Sequence, residues 1–200
     1  MKKVGLTLFC LVFLFTAIAP APAQAAPAIT WMQPESGIYG GNVHCLAIHP
    51  EIPSTLYAGT DGGVYKSLDG GDTWAATNNG LTNYQVLSVA ILPGSPETVF
   101  AGAYGELFKT INGGESWDVV DTGLGFKLFR SIGFDTRSNP VAIYASTSIG
   151  ILFSSDAGQT WTLLDTGLPA AVPNALAVDP YNAGTVIAGY GGDGLYKTIN

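Results

Sequence analysis

The residues Ser67-Leu68-Asp69-Gly70-Gly71-Asp72-Thr73-Trp74 decide the fold, because their pattern returns further along the chain. It recurs as Thr110-Ile111-Asn112-Gly113-Gly114-Glu115-Ser116-Trp117 and as Ser154-Ser155-Asp156-Ala157-Gly158-Gln159-Thr160-Trp161, and it begins again at Thr198-Ile199-Asn200. The three tryptophans are 43 and 44 residues apart. Such regular spacing indicates a repeat architecture, in which each copy forms one supersecondary unit.

Each repeat contains four short apolar runs separated by turn residues. In the first repeat we assign strand A to Cys45–Ile48, B to Thr55–Gly59, C to Val64–Leu68 and D to Thr73–Thr77. Four strands in about 43 residues are typical of a β-propeller blade. We therefore predict an all-β propeller segment with no helix outside the extreme N-terminus. Its parts are an N-terminal strand at 29–34, blades at about 43–77, 86–120 and 129–164, and a partial blade at 173–200.

The quoted motif suits a tight turn between strands C and D. Its glycines allow a positive φ, and its Asp or Asn oxygen can accept backbone N–H groups within the turn. The tryptophan then packs into the apolar layer. Because the carboxylates occupy the same turn in successive blades, the repetition favours a structural role over catalysis or metal binding. The residues assigned to this role are Ser67, Asp69, Gly71, Thr73, Trp74, Asn112, Gly114, Trp117, Asp156, Gly158 and Trp161.

These motifs resemble the Asp-box (BNR) repeat superfamily, over about residues 29–200. That superfamily includes sialidases, xyloglucan-cleaving glycosidases, sortilin-type receptor domains and photosystem II assembly factors. The resemblance implies a β-propeller. It implies no single function, because this fold carries many.

The number of blades stays open at the level of sequence. With residues 29–34 counted as a strand D, the chain has enough strands for a small four-bladed ring. Asp-box propellers usually close with six to eight blades, so we expect an N-terminal fragment of a larger propeller.

The first 25 residues have the layout of a secretory signal peptide. Lys2 and Lys3 precede the apolar run 4–18, and Ala23-Gln24-Ala25 is a small-x-small cleavage site. The run is short for a bilayer span. We therefore predict cleavage after Ala25, a secreted or periplasmic location, and no stable membrane span in the mature chain.

Charge and composition exclude several classes of function. Without residues 1–25 the chain has six Lys and Arg against fifteen Asp and Glu, a formal charge of −9. Nucleic acid is therefore a poor partner, since phosphate binding needs clustered basic residues. Cys45 alone cannot form an internal disulfide. His44 and His49 point to opposite faces of their strand, so we predict no metal site and no cofactor.

Candidate binding residues lie in the B–C and D–A loops, opposite the repeated turns. Loops that vary on a repeating frame are where function tends to be placed. Aromatic and carboxylate side chains there would suit a protein or glycan ligand. The candidates in the B–C loops are Asp61, Tyr104, Glu106, Tyr190 and Asp193, and the D–A loops add Tyr39, His44, Tyr84 and Phe126.

Three more specific functions can be compared. A sialidase needs an arginine triad, and the mature chain has only Arg130 and Arg137. A photosystem II assembly factor would imply an arginine-rich patch, which this acidic chain lacks. The stretch 57–65 resembles the xyloglucanase stretch that carries a catalytic Asp, here Asp61, but glycoside hydrolysis needs a second carboxylate across a cleft. The sequence thus favours a binding or scaffolding module, with a glycoside hydrolase fragment as the alternative.

Overall fold

The computed structural model describes residues 30–38 and 41–198. The chain divides into two units, Met1–Met32 and Gln33–Asn200. The second unit contains only strands and connecting turns among its described residues. Its strands are β1 Val43–Ile48, β2 Leu56–Thr60, β3 Gly63–Ser67, β4 Ala75–Ala76, β5 Val86–Ile91, β6 Val99–Gly105, β7 Leu107–Thr110, β8 Asp118–Val120, β9 Lys127–Asp135, β10 Ala142–Thr147, β11 Gly150–Ser154, β12 Thr162–Leu164, β13 Pro173–Val178, β14 Val186–Tyr190 and β15 Gly194–Lys197.

The strands form antiparallel meanders, each pairing with the next along the chain. β1–β4, β5–β8 and β9–β12 make three four-stranded blades, and β13–β15 make a three-stranded sheet. Tyr104 and Gly105 of β6 also pair with Leu128 and Lys127 of β9, which joins the second and third blades. The predicted all-β fold of four-stranded antiparallel blades is confirmed, and the described unit is a partial β-propeller.

Three apolar clusters lie between successive blades. Tyr57, Phe108 and Trp117 belong to the first cluster, Phe100 and Leu152 to the second, and Tyr144 and Val186 to the third. Full burial of a large apolar side chain stabilises the fold by about 1.5–3 kcal/mol. The core is therefore distributed between blades, so each blade depends on its neighbours for stability.

The C–D turns repeat one hydrogen-bond pattern. Ser67 donates its hydroxyl to Asp69 Oδ1 at 2.8 Å, and the Thr73 amide and hydroxyl donate to the two Asp69 oxygens at 2.9 and 2.5 Å. The Asp156 turn repeats these contacts with its own neighbours. At Asn112 the Thr110 hydroxyl and the Ser116 amide donate to Oδ1 as before, but the last contact is reversed, because Asn112 Nδ2 donates to the Ser116 hydroxyl. The repeated carboxyl and amide groups are thus occupied by the turns that contain them.

Several sequence predictions about the chain ends need correction or lie outside the described residues. Residues 30–34 form no strand; instead Ser36 makes an isolated parallel bridge with Thr73. The reason is that a strand needs a partner ladder, and the described chain offers no third strand of the same repeat. Within the described ranges β15 has no partner on its outer side. The signal peptide and Tyr39 fall outside these ranges. Among the residues described, none belongs to a helix able to span a bilayer.

Candidate functional site

The B–C turns and the starts of the A strands lie together on one side of the unit, which we call the loop face. The Asp61 amide donates to the Asn42 carbonyl at 3.3 Å, and the Tyr104 amide donates to Gln85 O at 2.9 Å. These contacts bring the B–C turn of a blade against the segment that enters its A strand. The predicted juxtaposition of B–C and D–A loops is therefore present in the structure.

Asp61 is an exposed carboxylate held by three side chains. His44 Nε2 lies 2.7 Å from Asp61 Oδ1, Asn42 Nδ2 donates to Oδ2 at 2.7 Å, and Gln85 Nε2 lies 3.5 Å from Oδ1. The hydrogen bond with His44, followed by that with Asn42, lowers the pKa of Asp61. Asp61 therefore favours the ionised form, which suits a base, a nucleophile or a hydrogen-bond acceptor, and not a general acid.

The first-blade B–C turn is closed by a side chain from its own D segment. The amide of Val64 donates to Asn78 Oδ1 at 2.8 Å, and Asn78 Nδ2 donates to the Gly62 carbonyl at 3.1 Å. Gly63 has a φ of +106°, and a Cβ there would collide with the Asn78 amide. The Thr60 hydroxyl also donates to Gly63 O at 3.0 Å. Asn78 thus fills the space beside this turn.

The second-blade B–C turn departs from that arrangement. Ala103 stands where the first blade has Thr60, and Glu106 stands where it has Gly63, as the strand registers show. The positive φ moves to Gly105, at +112°. Asp121 stands at the position of Asn78. Its carboxylate accepts a hydrogen bond from the Gly123 amide of the same loop at 2.9 Å. Here Asn83 Nδ2 donates to the Tyr104 carbonyl at 2.6 Å, and the Phe126 ring lies where a Cβ on Gly105 would stand.

A cavity of about 500 Å³ opens at this place, between the second and third blades. We call it the second–third cleft. Tyr104 and Phe126 form an edge-to-face pair in it, with ring centroids 5.2 Å apart. Glu106 accepts a hydrogen bond from the Thr82 hydroxyl. The lining residues used below are Tyr104, Glu106, Leu107, Val120, Asp121 and Phe126.

The five predicted candidates do not form one group. Tyr104 and Glu106 line the second–third cleft, while Asp61 sits in its own cluster with His44. Tyr190 was predicted to be a binding residue, but it is only 6% exposed. Its ring packs against that of Tyr196 in the third core cluster, with the ring centroids 5.3 Å apart. Asp193 is exposed at the β14–β15 turn and joins neither set.

Asp121 was missed by the sequence analysis. It follows strand D of its repeat at the position of Asn78 in the first repeat. Alignment of the D segments shows an amide replaced by a carboxylate, so a signal was available. Only the folded chain shows that Asp121 and Glu106 border the same cavity.

In the part of the chain that the structure describes, no group of three or more His, Cys, Asp or Glu side chains is placed to hold a metal ion. His49, the second histidine of the first blade, uses Nδ1 to accept from the amides of Glu51 and Ile52 at 3.2 and 3.0 Å. It is buried and therefore has a local structural role in the A–B turn.

Solved structures share this fold at low sequence identity. The GH74 enzyme of Niastella koreensis is 24% identical, with a TM-score of 0.64 over 79% of this chain and 28% of its own. The extracellular domain of BT4673 from B. thetaiotaomicron is 21% identical, with a TM-score of 0.67 over 84% of this chain and 22% of its own. YCF48 bound to D1 peptide is 19% identical, with a TM-score of 0.56 over 75% of this chain and 47% of its own.

These similarities establish the β-propeller fold and nothing finer. No family model matches the chain, and no curated protein matches it. The chain spans between 22% and 47% of the length of the three structures. The ligands and substrates of those proteins do not establish those of this chain. The residues of its own loop face are the evidence for its function.

Proposed function

We propose that this chain is an exported β-propeller module of the Asp-box type, which binds a protein or glycan ligand through its B–C and D–A loops. The observation that carries the proposal is the second–third cleft, where two exposed aromatic rings and two carboxylates border a cavity of about 500 Å³. Cavities of roughly 300–1,000 Å³ with an apolar lining and few polar groups are typical of ligand sites. The extracellular and peptide-bound propellers among the structural neighbours support the same class of function.

The proposal is tested by binding to arrays of glycans and of peptides. The matched variants are Tyr104→Ala/Phe126→Ala in the cleft and Asp72→Asn/Glu115→Gln on the C–D turns. We expect a ligand whose signal falls at least tenfold in the cleft variant and is unchanged in the turn variant. Absence of any ligand on both arrays, or equal binding by both variants, would contradict a loop-face site.

A glycoside hydrolase fragment is the second candidate, because His44 and Asn42 orient the exposed Asp61 carboxylate and lower its pKa. It would serve as the base or nucleophile of a carboxylate pair. Xyloglucan is the substrate to try, with release of reducing ends as the measurement. The hydrolase role requires activity that falls by roughly 10²-fold or more in Asp61→Asn. An inactive native chain would leave the binding role as the better account.

A further inference from the structure

The carboxylates of the second–third cleft have unused acceptor capacity. Glu106 accepts from the Thr82 hydroxyl through Oε2, and Asp121 accepts from the Gly123 amide through Oδ1. Among the described residues, neither Glu106 Oε1 nor Asp121 Oδ2 has a hydrogen-bond partner. Each carboxylate therefore keeps one oxygen for a donor from outside the chain.

The aromatic pair beside them presents accessible ring surface. Tyr104 is 44% exposed and Phe126 is 62% exposed, although the two rings pack edge to face. A cation placed over such a face is attracted by its negative quadrupole. The arrangement of ring face and carboxylate thus favours a ligand that is flat or apolar on one side and positively charged.

No Lys or Arg among the described residues lines this cavity. Lys127 is the nearest in sequence to Phe126, and its ammonium donates to the Phe126 carbonyl at 2.9 Å. It is not among the residues that line the cavity. With a formal net charge of −7 for the whole chain, approach of a positive ligand is favoured at long range as well.

We infer that the second–third cleft binds an exposed polypeptide segment through an arginine or lysine side chain, which stacks on Tyr104 and Phe126 and pairs with Glu106 and Asp121. This inference rests on the proposed function and names its ligand class. Arginine fits best, because its planar guanidinium can stack on a ring while it donates to carboxylates. A neutral sugar could stack on the rings but would leave two carboxylates without a counter-charge, which costs more as water is excluded.

The experiment uses the full chain and three blocked octapeptides of Gly and Ser that contain one arginine, one lysine or one citrulline. Citrulline has the shape of arginine without its charge. A neutral xyloglucan oligosaccharide is the glycan probe. Binding is followed by the amide NMR shifts of Gly105 and residues 121–125. We expect the arginine peptide to bind at least tenfold more tightly than the citrulline peptide, and to weaken as salt is raised.

The variant Glu106→Gln/Asp121→Asn should lose at least tenfold in affinity for the arginine peptide. The control Asp72→Asn/Glu115→Gln removes the same charge from the C–D turns and should bind normally. Thermal melting of each variant separates a lost site from a lost fold. Arginine binding that is equal in both variants would overturn the inference, since it would report only the overall charge.

Two different outcomes separate a wrong ligand class from a wrong binding site. If the oligosaccharide shifts the cleft amides and the arginine peptide does not, the ligand class is wrong and the loop-face site stands. If no probe shifts these amides and no array ligand depends on Tyr104 and Phe126, both the ligand class and the proposed function are wrong.

Discussion

The junction between the first and second blades and the junction between the second and third use the same strand positions with different results. At the first junction the Trp117 amide donates to Asn79 O and its indole N–H donates to Thr77 O, both at 2.8 Å. At the second junction Trp161 Nε1 is buried, with no hydrogen-bond partner among the described residues. The indole N–H of Trp117 is thus paired across its junction, whereas that of Trp161 is not.

Two side-chain hydrogen bonds also cross the first junction, and the residues that donate them do not repeat. The Tyr57 hydroxyl donates to Gly113 O at 3.0 Å, and Phe100 occupies the same position one blade later. The Thr77 hydroxyl donates to Gly114 O, and its counterpart is Val120. Each replacement removes a donor that would cross to the next blade.

Open space lies where the second junction lacks these bonds. A cavity of about 340 Å³ is bordered by Lys109, Val120 and Gly158, beside the third-blade turn. Val119, Val120 and Asp121 border both this cavity and the second–third cleft. The repeated motif is present in all three four-stranded blades, whereas the hydrogen bonds that cross from one blade to the next differ between the two junctions: side chains and the tryptophan supply them at the first, and β6–β9 pairing and the Ser88 hydroxyl supply them at the second.

The largest expected effect comes from the two tryptophans. Trp117→Ala should lower the free energy of unfolding by about 3–5 kcal/mol, because it removes a fully buried ring and an interblade bond. Trp161→Ala should cost at least 1 kcal/mol less, since its ring is only partly buried and its N–H is unpaired. Urea unfolding of both variants provides the measurement. Equal losses would show that the junctions do not differ in the way described.

The closing amide of the first blade gives the next effect. Asn78→Asp should cost about 1–3 kcal/mol, because it removes the donor to Gly62 O and sets a carboxylate oxygen near that carbonyl. The matched change Asp121→Asn should stay within about 0.5 kcal/mol, as Glu106 blocks the equivalent closure. Thermal melting compares the pair. A larger loss in Asp121→Asn than in Asn78→Asp would reverse the comparison.

Tyr57→Phe transfers a second-junction residue to the first junction. We expect the free energy of unfolding to fall by about 0.5–1.5 kcal/mol for the lost hydrogen bond.

Burial, with a smaller contribution from Glu97, raises the pKa of Tyr57 to about 12. Because the folded pKa lies above the usual value of about 10, the contribution of Tyr57 to stability is complete below pH 10 and is lost as the pH rises through 12. The native chain should therefore lose more stability in this alkaline range than Tyr57→Phe, as followed by tyrosine absorbance and unfolding; identical alkaline profiles would count against the bond.

Low pH should destabilise the C–D turns of the first and third blades more than that of the second, and this effect should be smaller than those above. Hydrogen bonds from the Thr73 hydroxyl and amide, and then from Ser67, lower the pKa of Asp69 to about 2, and the pKa of Asp156 is lowered by Thr160 in the same way. A depressed pKa means that the stabilisation is present above about pH 4 and is lost as the pH falls through the folded value. The second-blade turn has Asn112, which does not titrate. Amide exchange of Thr73 and Thr160 should rise in acid relative to Ser116, and Asp69→Asn should remove the change at Thr73 alone.

Much of the fold could be predicted because its signals are local. The motif at 67–74 combines turn glycines, a capping Asp and a packing Trp within eight residues, so neighbouring side chains suffice to specify the turn. Apolar runs of four to six residues then predict the strands. The predicted strand at 29–34 was wrong over the described residues because pairing depends on a partner ladder, which no local pattern reports.

The candidate site was only partly predictable, because the burial of a loop residue depends on contacts with the neighbouring blade. Tyr104 and Glu106 were identified from loop composition, and the structure places both in the second–third cleft. Tyr190 has the same kind of sequence neighbourhood, yet its ring is buried against Tyr196. Loop position indicates which residues are available, whereas burial depends on the neighbouring blade.

The sequence by itself determined the repeat, the strand order, the C–D turns and the acidic character of this protein, since each depends on spacing or composition. The tertiary structure alone decided that Asp121 and Glu106 share a cavity, that His44 and Asn42 hold Asp61, and that Trp161 lacks the partner which Trp117 has. These features join residues from different strands or blades. Their distances depend on how the strands and blades pack, which no local pattern of residues specifies.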